Sequence, residues 1–176
     1  MLFDGESFDQ DELEAMLKEL GKSKGKLNAE RHHSIVAGVD LEEALGDLLA
    51  EFLIEQKQTR KLIGGTLRNF ATRINFVYCL SLISDDEYDD LHNMREIRNL
   101  FAHRKEGLSF EDDEIKGFCD KLKTIRKNPL EDDSYLSLYL SSAQILLYIL
   151  RERTDEAQKR KCIAPEEFDP HRWSDM

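Results

Sequence analysis

Ser84-Asp85-Asp86-Glu87-Tyr88-Asp89-Asp90-Leu91-His92-Asn93-Met94-Arg95-Glu96-Ile97-Arg98-Asn99-Leu100-Phe101-Ala102-His103 is the stretch from which the fold is read. Ser84 and Glu87 have the spacing of a capping box, in which a hydroxyl and a carboxylate each satisfy a backbone N–H of the first helical turn. Asp85, Asp86 and Glu87 place negative charge at the positive end of the helix dipole. Beyond them Tyr88, Leu91, Met94, Ile97 and Phe101 recur at three- and four-residue steps, the apolar stripe of an amphipathic helix. One stripe must be covered by others of its kind, so the stretch predicts a helical bundle.

The rest of the chain has the same period. Upstream, Ser7 as cap with Gln10, then Leu13, Met16, Leu17 and Leu20, predicts a short opening helix, and Gly21 to Gly25 a mobile linker. From about Arg31 to Gln56, Ile35, Val36, Val39, Leu45, Leu48, Leu49, Phe52 and Leu53 form one broad apolar face opposite Asp40, Glu43, Asp47 and Glu51. Gly64-Gly65 marks a break, after which Leu67, Phe70, Ile74, Val77 and Tyr78 trace a helix ending near Ile83. Downstream, Glu111 to Glu114 should start a helix carrying Ile115, Phe118, Leu122 and Ile125 that stops before Asn128-Pro129. A last long helix from about Asp133 to beyond Arg153 buries Leu136, Tyr139, Leu140, Ala143, Leu146, Leu147 and Leu150. The expected fold is all-α, an up-and-down bundle of four to five main helices. The expected division is 1–25 as N-terminal helix and linker, 26–160 as the bundle domain and 161–176 as a C-terminal tail containing Trp173.

A chain of 176 residues, 40% hydrophobic and 35% charged with three prolines, suits one domain. Its 36 acidic against 25 basic residues give a net charge of −11, which repels phosphate backbones and disfavours general nucleic-acid coating. Cys79, Cys119 and Cys162 form no CxxC pair and read as reduced thiols. The N-terminus lacks the basic start and apolar stretch of a signal peptide, and the longest apolar run, Ile145 to Leu150, is far below the about 20 residues of a membrane span. A cytoplasmic protein without a membrane segment is expected.

Chemistry has one plausible seat, Ile97-Arg98-Asn99-Leu100-Phe101-Ala102-His103. Asn99 and His103 share a helix face, whereas Arg98 is turned about 140° from His103 on an ideal helix. Cleaving RNA without a metal needs a proton-exchanging group and fixed positive charge for the phosphorane-like transition state. His103 and Arg98 fit those roles, and Asn99 would orient either. Around them Arg95, Arg104 and Lys105, against only Glu96 and Glu106, make a small basic island in an acidic chain, the expected RNA-binding residues. No cofactor or metal site is read: His32-His33 are adjacent and diverge on a helix, the acidic clusters are helix starts, and Gly64-Gly65-Thr66 lacks the phosphate-loop pattern. The structural alternative for Arg98 and His103 is a helix-end ion pair with nearby carboxylates, or a histidine at the negative end of its own helix.

Phe70 to His103, with Arg73-Ile74, Tyr78 to Ile83, the acidic Ser84 to Tyr88 turn and Arg95 to His103, resembles the mannitol operon repressor family and, more widely, the HEPN superfamily of helical bundles. The likeness spans roughly Ala44 to Leu122, and its specific core is Arg-Asn-x-x-x-His. The HEPN resemblance implies a metal-independent endoribonuclease of toxin or defence type. It would act as a homodimer, with Arg98, Asn99 and His103 of both copies facing one cleft. Separately, the net charge of −11 would suit binding to a basic antitoxin partner. That enzyme is the leading expectation. The mannitol repressor resemblance implies instead a non-catalytic transcriptional regulator that works through protein partners. An open, positively charged cleft favours the first; arginines committed to carboxylates favour the second.

Overall fold

The computed structural model describes residues 10–104, 107–124 and 134–165. The Ser7 cap, the stop after Ile125 and the tail from residue 166, Trp173 included, lie outside them. Among the described residues all regular structure is helical: α1 (Gln10–Phe52), α2 (Lys57–Gly64), α3 (Phe70–Cys79), α4 (Asp85–His103), α5 (Asp113–Cys119) and α6 (Tyr135–Lys159). The all-α bundle expected from the sequence is what forms. No described helix is long and apolar enough to cross a membrane.

Helix α1 is the spine. Its 43 residues run unbroken through Gly21 to Gly25, so the expected linker is helix. Helix α6 is its principal partner, α4 the next, and α3 the third. The core takes Leu41, Leu45, Leu48 and Leu49 from α1, Leu91, Met94, Ile97 and Phe101 from α4, Ile74 and Val77 from α3, and Tyr139, Ala143, Leu146 and Leu150 from α6. The inward line of α1 continues upward through Ala37, Ser34 and Glu30 rather than through the expected valines, and Val36 and Val39 are exposed. Steps of three and four back from Leu41 reach Ala37, Ser34 and Glu30 and leave the valines off the stripe, and α6 packs on that line, the Tyr139 hydroxyl donating to the Ser34 carbonyl at 3.1 Å.

The boundaries follow from local hydrogen bonds. The Ser84–Glu87 capping box forms as the spacing predicts: Ser84 accepts from the Glu87 N–H, and Glu87 accepts from the Ser84 N–H at 2.9 Å. Helix α3 stops before Ile83 because Ser81 takes a left-handed φ of 56°, letting Leu82 N–H reach the Val77 carbonyl at 3.0 Å and Ser81 N–H the Tyr78 carbonyl at 2.8 Å. That closing pattern is a Schellman motif. Helix α5 is shorter than expected because the fully buried Asp90 captures the chain after it. Its carboxylate accepts from the Lys123 N–H and the Thr124 N–H, each at 2.8 Å, and from the Thr124 hydroxyl at 2.6 Å. Leu122 reaches the core from outside the helix.

Two further buried carboxylates join elements. Glu30 of α1 accepts from the Phe110 N–H at 3.0 Å, holding the α4–α5 connection. Glu87 also binds Arg153 of α6 at 3.0 Å. Cys119 is buried in the core, and that burial pushes its thiol pKa up to about 12, which keeps it protonated as a packing group. Asp90→Ala orphans three donors in the interior, and unfolding in urea should show a loss of about 2–4 kcal/mol.

Candidate functional site

Helix α4 presents the motif residues through its register. Ile97 and Phe101 point into the core, which places Arg98 and Asn99 at the flank facing α1 and His103 in the exposed last turn. The Arg98 stem crosses α1 over Gly38: a Cβ on that glycine would lie 2.5 Å from Arg98 Cγ and 2.9 Å from its Cβ. The guanidinium then reaches Glu42 one turn further along α1, Nη2 to Oε2 at 3.0 Å, while Nη1 donates to Asn99 Oδ1 at 3.0 Å. Both ends of this ion pair are about three-quarters shielded, with side-chain exposures of 24% and 21%. Arg98 and Asn99 are thus brought together, as a unit that clamps α4 to α1.

His103 stands apart from that unit. Among the described residues it makes no hydrogen bond or ion pair with Arg98 or Asn99. The helix end beside it is satisfied from α1, where Arg31 donates to the Ala102 carbonyl at 3.2 Å. The remaining cations of the basic island are also engaged: Arg95 is ion-paired with Glu96, and Arg104 with Glu114. Lys105 lies outside the described residues. Each described arginine of the island therefore faces a carboxylate, Arg98 and Arg104 across to α1 and α5 and Arg95 within α4 itself. The cleft beside the motif, lined by Leu27, Asn28, Arg31, Phe101, Arg104, Gly107 and Leu108, has a volume of about 40 Å³. That is the space of a water or two, against the several hundred Å³ of a typical ligand pocket. No group of three His, Cys, Asp or Glu side chains among the described residues could hold a metal ion.

A second polar cluster, on the α3–α4 face, escaped the sequence reading. Tyr88 lies between Tyr78 and His92, tilted against the first and edge-on to the second, with ring centroids 4.4 Å and 4.5 Å apart. Asn75 accepts from the Tyr88 hydroxyl at 2.9 Å and lies 3.2 Å from His92 Nε2, and the Tyr78 hydroxyl donates to Asp85 at 2.8 Å. Its members come from two helices, and within α4 the Tyr88–His92 spacing of four was the available signal.

Two outcomes follow. Gly38→Ala must push the Arg98 stem and with it α4 away from α1, so calorimetry should register a destabilisation of about 1–3 kcal/mol. Burial, and then Arg95, lower the His92 pKa below its ordinary 6.5. The unfolded chain then takes up that proton more readily, so stability is lost as pH falls through and below 6.5. His92→Gln should flatten that decline in pH-dependent thermal melts.

The arrangement has relatives. A family model described as mannitol repressor matches residues 61–156, more than half of the chain, including the whole of α3, α4 and α5 and most of α6. Among solved structures, the chain is similar to one in the X-ray structure of the MtlR-HPr complex from Escherichia coli, with a TM-score of 0.50 and 21% identity over 78% of this chain and 97% of that one. A comparison with curated proteins gives no match. The fold of that chain and the family match over the helices that carry the Arg98–Asn99 clamp agree: the chain belongs to the mannitol repressor family.

Proposed function

We propose that the chain is a non-catalytic, cytoplasmic transcriptional regulator that acts by binding a protein partner. The observation that carries this reading is the commitment of Arg98 to Glu42 and Asn99. A guanidinium held by a shielded carboxylate while its stem fills the notch at Gly38 is occupied with helix packing, and freeing it would leave Glu42 an uncompensated charge. With Arg95 and Arg104 likewise paired and a net charge of −11, direct contact with a phosphate backbone has little to recommend it. The family description, and the presence of a chain of similar fold in a complex with HPr, support a protein partner, and we take a protein of the HPr type as the first to try.

A second reading, the HEPN-like endoribonuclease, has one observation in its favour. The His103 imidazole is exposed at the end of α4, with Asn99 one turn before it, as a general acid or base would require. That reading needs Arg98 to leave Glu42 and a second copy to complete the cleft.

One pair of measurements separates the two. The wild-type chain and His103→Ala, incubated with structured and unstructured RNAs in EDTA, should both leave the RNA intact, and titration calorimetry should detect binding of HPr from the same source. Cleavage that yields 2′,3′-cyclic phosphate ends and disappears in His103→Ala would overturn the regulator reading.

A further inference from the structure

The N-terminal part of α1 extends past the bundle it supports. Every residue from Glu14 to Lys26 is exposed, Leu27 is the first to be partly covered, and the buried line starts at Glu30. Residues 10 to 27 form an overhang about 27 Å long at about 1.5 Å per residue. It carries Met16, Leu17 and Leu20, which lie within about 100° of one another around the helix and are 55%, 59% and 54% exposed. Gly21 and Gly25 lower the segment's own helix propensity, and an isolated helix of this length is marginal in water. A helix of this composition is held by what packs on its apolar stripe.

The charges say what fits there. Along the overhang the sequence is acidic first, with Asp11, Glu12 and Glu14, and basic afterwards, with Lys22, Lys24 and Lys26, around a centre at Lys18-Glu19. A second copy laid antiparallel about that centre sets each acidic end beside the other copy's basic end, Lys18 level with Glu19, and Leu17 level with Leu20. A parallel pair would set like against like. Such self-complementarity is what a two-fold interface requires.

We infer that residues 10–27 of α1 are a homodimerisation element, pairing antiparallel with the same segment of a second copy through Met16, Leu17 and Leu20. The paired charges set the direction, so the association weakens as salt rises. The interface is remote in sequence from α4 and does not depend on the regulator reading, since either a regulator or a nuclease would dimerise this way.

Sedimentation velocity of the full chain at micromolar concentration tests it. The wild type should run as a dimer at low salt. Leu17→Lys combined with Leu20→Lys should run as a monomer while keeping the thermal midpoint of the bundle, because its core begins at Glu30. Lys22→Glu/Lys24→Glu and Glu12→Lys/Glu14→Lys should each lose the dimer alone and regain it when mixed. A wild-type monomer, a dimer that survives Leu17→Lys/Leu20→Lys, or charge variants that fail to recover on mixing would each overturn the inference.

Discussion

Two arginines seated on two glycines of α1 set how closely the other helices approach it. Arg98 of α4 runs over Gly38, and Arg73 of α3 runs over Gly46, where an added Cβ would lie 2.9 Å from its Nη1. Both end at Glu42, Arg98 on its carboxylate and Arg73 on its main-chain carbonyl, and Arg73 also donates to the Leu67 carbonyl at 2.8 Å. The glycines remove side-chain bulk where the Arg98 stem and the Arg73 guanidinium lie on α1, and Ile74, Val77, Met94 and Ile97 are buried in the same core as the leucines of α1. A single methyl group at Gly38 is enough to disturb packing at interior density.

The connections depend on a complementary device. Asp90, Glu87 and Glu30 are buried acids that accept backbone N–H groups of segments without helical partners of their own. A carboxylate accepting several such bonds is well stabilised, and the segment it holds loses the freedom to continue as helix. This is why α5 ends at Cys119 and the chain turns through Thr124. Glu87 is announced by its spacing from Ser84, whereas Asp90 and Glu30 do structural work that their neighbours along the chain do not announce.

For function, the consequence is that the Arg-Asn pair of the motif belongs to the architecture. Arg98 and Asn99 are turned towards each other and towards α1, while His103 sits at the solvent end of the same helix. A surface with its cations neutralised in place, on an acidic bundle, suits recognition by another protein better than capture of a polyanion.

What the sequence by itself determined is the class of fold and the local grammar: the stripes of α3, α4 and α6, the Ser84–Glu87 cap, the Gly64-Gly65 break and the family resemblance carried by residues 70–103. These are short-range properties, written in the period of apolar residues and in side chains that bond their own turn. Only the tertiary structure decided where α5 stops, that Val36 and Val39 face solvent, and that Arg98 and Arg104 of the basic island meet carboxylates. Glu42 lies 56 positions from Arg98 and Asp90 lies 34 from Thr124, separations at which periodicity carries no information. Charge counted along the chain sums neighbours in sequence, whereas electrostatics acts between neighbours in space, and that difference turned an apparent anion site into a helix clamp.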